Sequence, residues 1–105
     1  MKPESFEISA LEKLANSKLI RDIYPMIDEI SVLYRENVLW IRIDLNDSSI
    51  TEQNMYEKGF DPHYLIDFHI GKLMKYLGIE KSTPIDFVVI DTEGYEISKG
   101  SSLRI

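Results

Sequence analysis

A chain of 105 residues fits one domain, and its lack of cysteine excludes disulfides, thiol nucleophiles and Cys-ligated metals. Twelve Lys and Arg against eighteen Asp and Glu give a net charge of −6, which repels phosphate backbones at long range and disfavours nucleic-acid binding. Uncharged runs never exceed five residues. That excludes a transmembrane helix or the apolar core of a secretory signal, so no membrane association is expected, and with the absent cysteines it predicts a cytoplasmic protein. The charge is evenly spread: residues 1–47 and residues 48–105 each carry six basic and nine acidic groups. An acidic surface keeps a small protein soluble and suits a basic protein partner.

The first element, SALEKLANSKLIRDIYPMIDE, has helical apolar spacing through Leu11, Leu14, Ala15 and Leu19. Ser9 with Glu12 forms a capping-box pattern, Asn16-Ser17 is a candidate break, and Pro25 disfavours helix at Tyr24. The prediction is a helix over about residues 9–24, in one or two pieces. EISVLYRENVLWIRIDL follows. A two-residue turn at Glu36-Asn37 pairs Tyr34 with Leu39, Val32 with Ile41 and Ile30 with Ile43, all apolar and all on one face. The other face pairs Leu33 with Trp40 and Ser31 with Arg42. A one-residue slip would scramble both faces, so the register is well specified.

SSITEQNMYEKGF carries a second capping pattern, Ser49 to Glu52, with Gly59 as a left-handed stop, and predicts a short helix. DPHYLIDFHIGKLMKYLG is the clearest helix: Asp61 caps, Pro62 takes the first helical position and Gly78 ends it. Ile66, Ile70, Leu73 and Leu77 form a stripe, widened by Leu65, Phe68, Met74 and Tyr76, that should lie flat on a sheet. In PIDFVVIDTEGYEI, Ile85 and Phe87 to Ile90 leave no polar face and read as a central strand. YEISK can pair back as a hairpin strand, and GSSLRI reads as an edge or a frayed end.

The predicted class is α+β, in the order α-β-β-α-α-β-(β). An antiparallel hairpin plus one or two further strands makes a three- to four-stranded sheet, with helices mainly on one face. This order of elements resembles that of type II KH domains and BolA-like proteins. The GxxG clamp of the former and the last-strand histidine of the latter are both absent.

Asp91 and Glu93 end the buried strand, where α/β enzymes place acids, bases and metal ligands, and two residues apart on a strand they point the same way. IDFVVIDTEGYEISKG resembles a short motif of FkbM-type S-adenosylmethionine-dependent methyltransferases over about sixteen residues, at Ile85, Asp86, Ile90, Asp91, Glu93, Gly94, Glu96 and Lys99-Gly100. The resemblance implies a Gly-rich cofactor loop upstream, which this chain lacks, and Val89 stands where the family has Lys. The simpler reading is a strand followed by a Glu-Gly turn. No cofactor is expected.

His63 and His69, six residues apart on a helix, point about 120° from each other and cannot share a metal. His63 stands i,i+4 to Asp67 with Asp61 close by, a helix-surface ion pair or a weak acid–base pair, while His69 borders the apolar stripe as a packed histidine. No Ser-His-Asp set and no phosphate-cradling glycine loop is present.

The strongest functional lead is Trp40 with Leu33, paired on the hairpin face opposite the core. If the N-terminal helix leaves that face bare, the pair is an interface anchor. The sequence thus favours a non-enzymatic interaction domain that binds a protein partner, or itself as a homodimer. Trp40, Leu33, Arg42 and Asp44 would form its face, with Glu29 and Asp47 at the rim. The alternative is a small carboxylate enzyme or metal-binding protein using Asp91, Glu93 and His63.

Overall fold

The computed structural model describes residues 3–102. Helix α1 spans Ser5–Ala15 and α2 spans Lys18–Ile23. The N-terminal capping pair lies earlier than the Ser9–Glu12 pattern suggested. Glu4 N donates to Glu7 Oε1 at 2.7 Å, so the helix starts at Ser5 and Ser9 becomes an exposed position in its second turn. The break does fall at Asn16-Ser17, where Arg21 Nε donates to the Asn16 carbonyl.

Strands β1 (Ile27–Arg35) and β2 (Val38–Leu45) form the hairpin in the register read from the sequence: Ile30 opposite Ile43, Val32 opposite Ile41, Leu33 opposite Trp40 and Tyr34 opposite Leu39. Glu36 and Asn37 both take left-handed φ, 56° and 66°, the two-residue turn whose twist matches that of the strands. The chain then crosses over through the long helix to β3 (Ile85–Ile90), which runs parallel to β2, and β4 (Glu96–Ser102) pairs back antiparallel on β3. The sheet is mixed and four-stranded, in the order β1-β2-β3-β4.

Alternation along the strands sends Ile30, Leu39, Ile41, Ile43, Ile85, Phe87 and Val89 to one face, where all are buried. The helices lie on that face. Leu11 and Ala15 of α1, Ile20 of α2, and Leu65, Ile66, Ile70 and Met74 of the long helix join the strand residues in one core. The long helix begins as predicted: the Asp61 carboxylate accepts from His63 N and Tyr64 N, with Pro62 next. It comprises α3 (Pro62–Tyr64), a π-helical stretch over Leu65–Ile70, and α4 (Gly71–Leu77). Gly78 ends it at φ 78°, with Ile79 N donating to Met74 O and Gly78 N to Lys75 O. Phe68 and Tyr76, read as part of the apolar band, are exposed; Tyr76 lies two residues from buried Met74 and so on the far side of the helix.

The short helix expected over 49–59 is absent as a regular element. Thr51 and Asn54 exchange side chain-to-backbone bonds, and Phe60 N→Met55 O and Gly59 N→Tyr56 O close the segment with Gly59 at φ 85°. The predicted Ser49–Glu52 cap does not form, because Ser49 bonds to Asp47 and Thr51 pairs with Asn54 instead; Gly59 is the left-handed stop as expected, and the residues between close only separate turns. Gly100–Ser102 belong to edge strand β4, while the rest of GSSLRI lies outside the described residues. Among the described residues, no helix is long and apolar enough to cross a membrane.

Candidate functional site

The strand positions that alternate with the core residues form the sheet's outer face, and no helix covers it among the described residues. Helix α1 packs on the core side and against the β1 edge, so Leu33 and Trp40 remain 53% and 40% exposed. Their cross-strand pairing makes one continuous apolar surface. The indole is oriented by its own ring nitrogen, as Trp40 Nε1 donates to the Arg35 carbonyl at 3.3 Å.

The parallel β2–β3 pairing widens this patch. Trp40 stands beside Asp86 and Arg42 beside Val88, while on β4 Ser101 stands beside Asp86 and Lys99 beside Val88. The result is a shallow trough of about 860 Å³ whose floor is Leu33, Trp40 and Val88. Arg42, Lys99, Asp86 and Glu96 border it, two charges of each sign. Arg42 Nε donates to Asp44 Oδ1 at 3.0 Å; with more than half of the Arg42 side chain in solvent, this pair orients the two groups more than it stabilises the fold. Ser101 Oγ donates to Asp86 Oδ1 across the strands.

The rim residues take different places. Glu29 stands directly opposite Asp44 on β1, so two carboxylates adjoin at that end of the face, and Arg42 offsets one of them. Asp47 lies beyond β2 and serves a turn. Its carboxylate accepts from Ser49 Oγ and Ser49 N, which holds its pKa below the usual carboxylate range.

Asp91 and Glu93 form the turn between β3 and β4. The Asp91 carboxylate accepts from Glu93 N and Tyr95 N, both at 2.9 Å, and Gly94 takes φ 90°. Both bonds go to Oδ1, so the carboxylate is oriented by its own loop, as an Asx turn requires. His63 lies elsewhere. Its ring packs edge-on against Phe87 at 5.1 Å, four residues back along β3, roughly 13 Å at strand spacing. Asp67 accepts from Ser102 Oγ at 2.6 Å. His69 stands edge-on to the rings of Tyr24, Tyr64 and Phe68, and burial, then the nearby Lys72 charge, lower its pKa. Among the described residues, no three His, Asp or Glu side chains stand close enough to hold a metal.

A second, smaller groove runs along α4 between Phe68 and Ile79, bordered by Lys72, Lys75 and Lys81. Lys72 Nζ sits over the Phe68 ring at 4.5 Å.

Sequence reasoning located Trp40, Leu33, Arg42 and Asp44 on one face. It missed the half of the trough formed by Asp86, Val88, Glu96, Lys99 and Ser101, because β3 showed no polar alternation and its partner strand is set by a long crossover. No family model, curated protein or solved structure matches the chain.

Proposed function

We propose that this chain is a non-enzymatic protein-interaction domain that docks a partner protein on the outer face of its sheet. The observation that carries this reading is the cross-strand pair Leu33–Trp40, half in solvent on a sheet face that no helix covers among the described residues. Large apolar side chains gathered on an exposed sheet face mark interaction sites, and tryptophan is enriched among residues that dominate binding energy. The charges around the trough are mixed, so they select orientation. The overall −6 charge favours encounter with a basic partner.

The test compares proteins retained by the immobilised wild-type chain with those retained by Trp40→Ala and by Leu33→Lys. Both variants should keep the native far-UV circular dichroism and cooperative unfolding, because the face they alter is solvated. A partner held by wild type and lost by both folded variants supports the reading. An identical set retained by all three chains rejects it. Unfolding of both variants would show the face to be structural.

A further inference from the structure

The sheet has two edges, and the chain treats them differently. On β1 three outward backbone groups, at the middle of the strand, are bonded by Glu12 of α1 and by Asn16 just after it. Ile30 N donates to Asn16 Oδ1 at 2.8 Å, Asn16 Nδ2 donates to Ile30 O at 2.8 Å, and Val32 N donates to Glu12 Oε1 at 2.9 Å. A helix side chain here takes the place of a neighbouring strand. On β4 the pairing pattern can be followed strand by strand. Leu39 N donates to Pro84 O, so the even-numbered residues of β3 address β2 and the odd-numbered ones address β4. Their partners Ser98, Gly100 and Ser102 therefore turn their backbone groups inward to β3. The N–H and C=O of Lys99 and Ser101 point away from the sheet, and among the described residues nothing bonds to them. Within β4 there is no proline, Lys99 is the only charge after Glu96, and the other side chains from Ser98 onward are small. An edge with open groups and little to block it is a template for another strand.

We propose that a second copy of this chain pairs antiparallel along β4, joining two four-stranded sheets into one of eight. Each copy carries a net charge of −6, but the local charges along this edge are self-complementary in one register. Antiparallel pairing at this edge must set Lys99 and Ser101 opposite outward-facing residues of the copy. Lys99 opposite Lys99 places like charges side by side, which destabilises a cross-strand pair. Lys99 opposite Ser101 removes that repulsion. It brings each ammonium next to the serine whose hydroxyl is bonded to Asp86, so each Lys99 gains a carboxylate across the new seam. In that register Gly100 faces Gly100 on the helix side, flanked by pairs of the small residues Ser98 and Ser102. The two outer faces become continuous, and both Trp40 side chains stay open for the partner protein.

The experiment is the solution mass of the full chain by light scattering, for wild type, Ser101→Pro and Trp40→Ala, together with a cross-linking pair. Proline at Ser101 removes an outward N–H and no bond of the β3–β4 ladder. The chain contains no cysteine, so Lys99→Cys and Ser101→Cys each add a single thiol. The proposal expects twice the chain mass for wild type and Trp40→Ala, and the single mass for Ser101→Pro with native circular dichroism. It also expects a disulfide-linked dimer on oxidising a mixture of the two cysteine variants, since directly paired strand residues have the Cα separation a disulfide needs. A wild-type monomer at the highest soluble concentration overturns it. So does a dimer lost in Trp40→Ala but kept in Ser101→Pro, which would place self-association on the outer face. A cross-link formed as readily by Lys99→Cys alone rejects the register. If Ser101→Pro misfolds, the cysteine mixture decides.

Discussion

Asn16 sits at the break between α1 and α2, yet its amide does the work of a missing strand. Its Nδ2 donates to Ile30 O and Glu12 O and its Oδ1 accepts from Ile30 N, all at part-buried positions. Asn16→Ala removes both bonds to β1 and leaves the Ile30 N–H and C=O to whatever water reaches them. At about 0.5–1.5 kcal/mol net for each of the two bonds, the expected loss is about 2 kcal/mol. For a domain of this size that is a substantial share of total stability, which runs about 5–15 kcal/mol. Urea unfolding followed by circular dichroism should show an unchanged slope and a midpoint lower by about 1 M, for a slope of about 2 kcal/mol/M. Lys18→Ala is the control. The Lys18–Asp22 pair is a solvated i,i+4 contact at 2.7 Å, and its loss should cost within about 0.5 kcal/mol. If Asn16→Ala costs no more than Lys18→Ala, the β1 edge is not held by this side chain and the contrast between the two edges loses its energetic basis.

Other consequences are equally direct. A Cβ at Gly100 would lie 2.7 Å from Phe87 Cζ and 2.9 Å from His63 Cε1, so Gly100→Ala should destabilise by about 1–3 kcal/mol, read as a lower melting temperature. His69 has a folded pKa below its ordinary 6.5, from burial and then Lys72, so the unfolded chain binds the proton more readily. Its contribution is fully present above pH 6.5 and is lost as pH falls toward the folded value; His69→Gln should flatten that part of the stability-versus-pH curve, and an unchanged slope would refute the assignment. Asp91→Ala removes the acceptor for Glu93 N and Tyr95 N and should cost about 1 kcal/mol, with faster amide exchange confined to residues 91–96. A divalent cation titrated into the wild-type chain should shift no NMR resonance of Asp91, Glu93 or His63; saturable shifts at all three would revive a metal-dependent reading.

The hairpin was legible because six apolar residues fall on one face only in a single register, and because Glu36-Asn37 leaves room for a two-residue turn. The long helix was legible from Asp61, Pro62 and Gly78, each of which acts on the backbone locally. The start of α1 was misread because two S/E-x-x-E patterns, Glu4–Glu7 and Ser9–Glu12, follow each other within nine residues, and spacing alone does not rank them. The edge-sealing roles of Glu12 and Asn16 left no local trace, since their partners Val32 and Ile30 lie 20 and 14 residues away. The same holds for the reason Gly100 carries no side chain, which is the approach of Phe87 and His63 from other elements. The π-helical stretch has no composition that marks it. On the candidate face, Leu33, Trp40, Arg42 and Asp44 followed from strand alternation. Asp86, Val88, Glu96, Lys99 and Ser101 required the parallel β2–β3 pairing, which only the folded topology supplies.

Trp40 is the chain's single tryptophan, so acrylamide quenching of its fluorescence reports on the outer face alone. Measured on the isolated chain and again in complex with a protein that wild type retains and Trp40→Ala does not, it tests the proposed docking face. Ready quenching in the isolated chain and protection in the complex are predicted. A tryptophan already shielded in the isolated chain, or one still freely quenched in the complex, would contradict the docking face.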